Sequence, residues 1–192
     1  MLINDNPQGG TNLNVDQKAV LDTVNRWFEK SVLGLNLCPF AVKPFRDGRI
    51  RFELSTGQSD EDCLSDLLVC LHRLDQQPEI ETMVLICAGH LQNFSDYNQF
   101  LDLCDDLLEL EERDGIYQIA SFHPHYQFAG SQPGDRANWT NRSPYPLLHL
   151  IREASITKAV AAVSDSAEIP ARNITTLEKL SDSQMMEIYG SR

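Results

Sequence analysis

The segment that most constrains the fold is a continuous apolar run, Thr82–Ala88, near the middle of the chain. An uninterrupted run of this length is typical of a central strand that helices cover on both faces. Two further strand patterns flank it, since Arg49–Leu54 alternates polar and apolar residues and Ile116–Phe122 is a second short apolar run. The pattern therefore predicts an α/β protein with Thr82–Ala88 inside its sheet.

The segments between these strands carry apolar residues at helical spacing. A leucine stripe from Leu64 to Leu74 follows Ser59, which is a favourable N-cap, and a second stripe runs over about Asp96–Glu112. This order predicts a small three-stranded, mostly parallel sheet (βαβαβ) with an N-terminal helix and a helical C-terminal tail. The N-terminal helix is predicted over about Val15–Leu33, and the tail helices over about 146–163, 172–180 and 182–189.

The length of 192 residues predicts one domain. Residues 1–14 are polar and are expected to form a flexible lead, with a single α/β domain over residues 15–192. No apolar run approaches the roughly 20 residues needed to span a bilayer, and no export signal is recognised. We therefore expect a cytoplasmic protein without membrane contact, whose five cysteines are free thiols because none forms a CxxC pair.

The net charge of −12 argues against nucleic acid as a partner. Fifteen of the acidic residues lie between Asp60 and Asp114, where only two bases occur. The segment Ser121–Lys158 is locally basic instead, with three arginines, one lysine and three histidines against two acids. This segment is therefore the better candidate for binding an anion.

Two histidines, His123 and His125, follow the predicted third strand, where ligands bind in open α/β sheets. Residues two apart in extended backbone point to the same side, so both imidazoles can converge on one point. Three roles stay open for them: a divalent metal site, acid–base or anion-binding work, and structural capping of backbone groups. The metal site needs a third ligand, for which the candidates are His149, Asp135 and Glu153.

The next segment, Asn141–Pro146, precedes the predicted helix at about residue 146. A helix N-terminus attracts anions, and Arg142 adds a planar donor fork suited to carboxylate or phosphate. On that predicted helix, His149 and Arg152 share the polar face with Glu153. For Arg142 the alternatives are an anion-binding site and a plain helix start with a solvated arginine. For His149 they are a surface ion pair with Glu153 and a site residue, covered by the loop Tyr126–Asn141, with a fixed tautomer and a tuned pKa.

Five segments carry a resemblance to a known family: Asn36–Ala41, Ser121–Phe128, Thr140–Pro146, His149–Ser155 and Ile169–Asn173. Together these segments resemble an uncharacterised bacterial family, the domain of unknown function 1415. The resemblance covers nearly the whole chain from the first helix to Leu180, and it implies no activity. It adds Arg172, at the start of a predicted helix, as a further anion-binding candidate.

These observations lead us to expect a small cytosolic enzyme, a hydrolase or group transferase, that acts on an anionic small molecule carrying phosphate or carboxylate. Two alternatives are a non-catalytic binder of an anionic metabolite or metal, and a protein–protein adaptor. Cys38 has no base near it in the sequence and is expected to be a buried structural residue. The predicted catalytic residues are His123, His125, His149 and Tyr126, and the predicted anion-binding residues are Asn141, Arg142, Ser143, Tyr145, Arg152 and Arg172.

Overall fold

A mixed sheet organises the computed structural model, which describes residues 2–4, 15–161 and 166–190. Its four longer strands are β2 (Ile50–Ser55), β3 (Thr82–Ile86), β4 (Tyr117–Phe122) and β5 (Leu147–Arg152), and a short strand β1 (Leu2–Asn4) lies at one edge. The strand order is β1-β2-β3-β5-β4, in which only β2 and β3 pair in parallel. The predicted α/β class is confirmed, whereas the predicted three-stranded, mostly parallel sheet is wrong in strand number and pairing.

Most of the predicted helices begin and end close to the predicted positions, whereas the short helix Val42–Arg46 was not predicted. Ser59 caps α3 (Asp60–Gln76) by accepting the Asp62 N–H at 3.2 Å, as its position predicted. Asn93 caps α4 (Phe94–Leu110) by accepting the N–H groups of Ser95 and Asp96, so this helix begins two residues earlier than expected. The helices are α1 (Val15–Trp27), continued by a π-helical segment (Phe28–Leu33), α2 (Val42–Arg46), α3 (Asp60–Gln76), α4 (Phe94–Leu110), α5 (Glu153–Ala161), α6 (Ile169–Glu178) and α7 (Asp182–Tyr189).

The predicted helix over residues 146–163 is wrong in its first part, because Leu147–Arg152 forms β5 and α5 begins only at Glu153. Strand β5 lies antiparallel between β3 and β4. Its side chains alternate between two apolar layers, with Leu148 and Leu150 on one face and Leu147 on the other. β2, β3 and β4 therefore still run in one direction, but β5 separates β3 from β4.

Two hydrophobic layers cover the sheet. Helices α3 and α4 pack on one face, where Leu67, Leu71 and Phe100 are buried. Helix α1 and its π-helical continuation pack on the other face, where Trp27 and Phe28 are buried. All five residues of β3 are buried, so the prediction of a strand covered on both faces is confirmed.

The described residues include no helix long and apolar enough to cross a membrane. The predicted flexible lead, residues 1–14, lies outside the described residues except for Leu2–Asn4, which pair with β2. The predicted end of a tail helix at Val163 also lies outside them.

Candidate small-molecule site

His123 lies beneath the start of α4 and is fully buried. Its Nδ1 accepts the backbone N–H of His125 at 2.9 Å, so the ring hydrogen is on Nε2, which donates to the Leu91 carbonyl at 3.1 Å. The rings of Phe94 and Tyr97 pack against it at centroid distances of 5.3 and 5.0 Å. This geometry matches the structural alternative, in which the imidazole caps backbone groups.

The side chain of His125 is exposed, and its ring centroid lies 5.9 Å from that of His123. Tyr126 is half-buried, with its ring against Phe94 at 5.3 Å. His149 packs on the opposite face of the sheet, so the structure does not bring it to the His123–His125 pair. Within the described ranges, no group of three or more histidine, cysteine or acidic residues is placed to hold one metal ion.

Arg142 holds the loop that follows β4. Its Nε and one terminal nitrogen donate to the carbonyls of Tyr126 (3.2 Å) and Pro133 (2.6 Å). The guanidinium lies 4.7 Å from the centroid of the Trp139 ring, and only 8% of the residue is exposed. Because β5 rather than a helix follows this segment, the helix N-terminus expected beside Arg142 does not exist.

The neighbours of Arg142 also use their polar groups within the loop. The Asn141 side-chain amide donates to the Ser121 carbonyl at 3.0 Å. The Ser143 hydroxyl donates to the Tyr145 carbonyl at 2.6 Å, and Tyr145 packs on the hydrophobic layer below α1. These contacts fix the backbone between β4 and β5.

The other predicted arginines lie elsewhere. Arg152 donates to the carbonyls of Leu74 (2.5 Å) and Ile80 and to the Tyr117 hydroxyl (3.1 Å), at the end of α3. Arg172 is exposed and donates to the Asn36 carbonyl at 3.3 Å. The structure therefore does not bring Arg142, Arg152 and Arg172 together.

A cavity of about 360 Å³ lies at the opposite end of the sheet, where β2 and β3 begin. Its walls come from the loop before α2, from β5 and from α5. Most of its surface is apolar, supplied by Phe40, Ala41, Pro44, Ile50, Ile151, Ile156 and Ala159. Its polar and charged lining residues are Cys38, Lys43, Asp47, Arg49, Glu81, Thr82, His149, Ser155 and Lys158.

His149 is the most distinctive of these residues. Its Nε2 lies 2.6 Å from the Thr82 hydroxyl, which itself lies 2.5 Å from the Leu150 carbonyl. Burial lowers the pKa of His149 to about 4, so the imidazole is neutral at pH 7. His149 thus has a lowered pKa, which results from burial in the sheet and not from cover by the loop after β4.

Charged groups surround the cavity in unequal numbers. Arg49 pairs with Glu81 at 2.9 Å, and Lys43 pairs with Asp47. Lys158 is exposed and forms no ion pair within the described part of the chain. The lining therefore carries three cations against two carboxylates, an excess of positive charge in a chain whose net charge is −12.

Cys38 also lines this cavity and is only partly buried, unlike the other four cysteines. Burial raises the pKa of its thiol, although the backbone N–H groups of Phe40 and Ala41 act in the opposite direction. Sequence reasoning found no base for Cys38, because His149 comes to the same cavity only through the pairing of β5 with β3. The thiol of Cys38, the imidazole of His149 and the ammonium group of Lys158, which has no ion-pair partner among the described residues, thus share one mostly apolar cavity.

A second cleft, of about 420 Å³, lies between the loop after β4 and α7. Arg136 and Arg142 line it together with Trp139 and Met186. Both arginines are engaged by the protein itself, since Arg136 pairs with Asp182 at 2.6 Å and Arg142 binds backbone carbonyls. A ligand would therefore find fewer available polar groups in this cleft than in the His149 cavity.

Comparison with known families gives one match. The model of a family described as "Protein of unknown function (DUF1415)" matches residues 19–187. No curated protein and no solved structure matches the chain. The matched range includes every residue that lines the His149 cavity.

Proposed function

We propose that this chain, which belongs to the DUF1415 family, binds an anionic small molecule with an apolar body in the cavity beside His149. The observation that carries the proposal is a neutral imidazole in the wall of a mostly apolar cavity of about 360 Å³. This volume is at the lower end of the roughly 300–1,000 Å³ typical of small-molecule sites. Such sites commonly combine apolar walls with a few oriented polar groups.

Electrostatics supports an anionic ligand. The chain as a whole has a net charge of −12, so a local excess of positive charge marks the cavity as a place where an anion is attracted. The excess cation at the cavity is Lys158, on the exposed side of α5. A carboxylate or phosphate near Lys158 would leave the apolar body of the ligand against Ile151 and Ile156, where burial contributes roughly 25 cal/mol for each Å² of apolar surface.

An enzyme that transforms this ligand is the second candidate function. It is favoured by the presence of Cys38, a potential nucleophile, in the same cavity as His149, a potential base. The directions of the two pKa changes oppose it, because a raised thiol pKa and a lowered imidazole pKa both favour the neutral groups. Binding is therefore the primary proposal, and we place it in the cytosol, where free thiols persist.

Filling the cavity tests the proposal. Ala159 lines the cavity, whereas Ala161 is exposed at the end of the same helix, so Ala159→Leu and Ala161→Leu add the same side chain inside and outside it. Isothermal titration with benzoate, phenylacetate, 3-phenylpropionate and 4-methylpentanoate should detect binding to the wild type and to Ala161→Leu. Ala159→Leu should lose it. Absence of binding to the wild type, or equal binding to both variants, would overturn the proposal.

A further inference from the structure

We infer that the ligand presents a hydroxyl group, as a hydrogen-bond donor, to Nδ1 of His149, in addition to its anionic group. This inference rests on the proposed function and narrows the ligand to a hydroxylated organic acid.

The Thr82 hydroxyl has one hydrogen and two close neighbours, the Leu150 carbonyl oxygen at 2.5 Å and His149 Nε2 at 2.6 Å. A carbonyl oxygen can only accept, so the hydroxyl hydrogen must point to Leu150; otherwise two lone pairs would face each other at this distance. The hydrogen between Thr82 and His149 therefore belongs to Nε2. A neutral imidazole carries one such hydrogen, which leaves Nδ1 as a lone-pair acceptor.

No hydrogen bond to Nδ1 forms within the described part of the chain. Because the imidazole is neutral at pH 7, this nitrogen attracts donors and does not bind an anion directly. A carboxylate offers only acceptors, so its place is near Lys158 and not against Nδ1. A ligand that fills the cavity and excludes solvent from Nδ1 must therefore supply a donor of its own to this nitrogen.

This requirement makes the cavity selective for ligands that carry a hydroxyl group. A ligand without the hydroxyl leaves a buried acceptor unsatisfied, and sites built around a buried polar group discriminate against such analogues. We expect a loss of affinity of about tenfold or more when the hydroxyl is removed. Methylation of the hydroxyl should have a similar effect, because the ether oxygen cannot donate.

Matched pairs of acids test the inference: 4-hydroxybenzoate with benzoate, 4-hydroxyphenylacetate with phenylacetate and with 4-methoxyphenylacetate, and 2-hydroxy-4-methylpentanoate with 4-methylpentanoate. Isothermal titration should show, in at least one pair, that the wild type binds the hydroxylated acid about tenfold more tightly. His149→Leu, which has no acceptor, should bind the members of each pair equally. In the wild type, the ¹⁵N resonance of His149 Nδ1 should move upfield on binding, a readout that does not depend on the variant.

The outcomes separate the two proposals. If the acids bind but the members of every pair bind equally, or if the preference persists in His149→Leu, the hydroxyl inference is overturned and the proposed function stands. If none of the acids binds, the proposed function is overturned together with it.

Discussion

The hydroxyl of Thr82 bridges the imidazole of His149 and the backbone carbonyl of Leu150, the next residue of β5. It accepts from Nε2 of His149 at 2.6 Å and donates to the Leu150 carbonyl at 2.5 Å. Thr82 starts β3, and its register partner on β5 is Ile151. One side chain thus fixes the ring tautomer and joins two central strands. The candidate site therefore depends on the pairing of β3 with β5.

Thr82→Val keeps the shape of the side chain but removes the hydroxyl, and with it the hydrogen bonds to His149 and to the Leu150 carbonyl. The variant leaves the Nε2–H and the Leu150 carbonyl without their partner, so the free energy of unfolding should fall by about 1–3 kcal/mol. The ¹⁵N resonances of His149 should change toward a mixture of tautomers. Urea denaturation of the exposed-site control Thr157→Val should resemble the wild type, and equal stability of the two variants would contradict this account.

The lowered pKa of His149 predicts a pH dependence of stability. In the unfolded chain a histidine takes up its proton near pH 6.5, whereas in the folded protein it does so near pH 4. As the pH falls, the unfolded state therefore binds the proton before the folded state does. The free energy of unfolding should accordingly decrease by about 3 kcal/mol between pH 6.5 and pH 4.

Urea denaturation across this range measures the effect. His149→Leu should lack this part of the loss, whereas the exposed-site control His125→Gln should keep it. Parallel pH profiles for the wild type and His149→Leu would show that His149 does not titrate in this way.

Cys38 should be the first thiol to react in the native protein. The other four cysteines are at most 1% exposed, and Cys38 opens on the cavity. Because burial raises the pKa of this thiol, alkylation by iodoacetamide should be slow at pH 7 and should accelerate as the pH approaches 9 and above. Peptide mass mapping should find the label at Cys38 and none in native Cys38→Ser; early labelling of Cys63 or Cys87 would contradict the prediction.

His123→Ala should lower the free energy of unfolding without changing the binding of acids in the His149 cavity. The variant removes a fully buried ring and leaves the Leu91 carbonyl and the His125 N–H without their partner, so we expect a loss of about 3 kcal/mol. His125→Ala should change stability by less than about 0.5 kcal/mol, because that side chain is exposed. A stable His123→Ala that no longer binds the acids would restore a functional role for His123.

The strands and helices that the sequence predicted best are those whose apolar residues follow a single unambiguous pattern. Thr82–Ile86 is apolar at nearly every position and proved to be buried throughout. Leu147–Arg152 misled the prediction because Leu147, Leu150 and Ile151 also fit helical spacing, and a short apolar run does not distinguish a buried strand from a buried helix. β5 lies between β3 and β4 because it pairs with residues far away in the sequence, and local propensity does not encode such pairing.

The candidate site was harder to predict than the fold. His149 was named from its sequence neighbourhood, but its partner Thr82 lies 67 residues earlier and meets it only through the register of β3 and β5. Cys38 and Lys158 reach the cavity from two further segments. The surroundings of the arginines could not be predicted for another reason: Arg142 and Arg152 donate to backbone carbonyls inside the protein, a use that the residue type alone does not reveal.

The location of the ligand is the most direct test of this account. Histidine-labelled protein contains five imidazoles, His72, His90, His123, His125 and His149, whose NMR signals can be followed during titration with the hydroxylated acids named above. The account predicts that the signals of His149 shift in a saturable manner and that those of His123 and His125 stay in place. Saturable shifts at His123 and His125 with an unchanged His149 would contradict it, and would assign the ligand to the opposite end of the sheet.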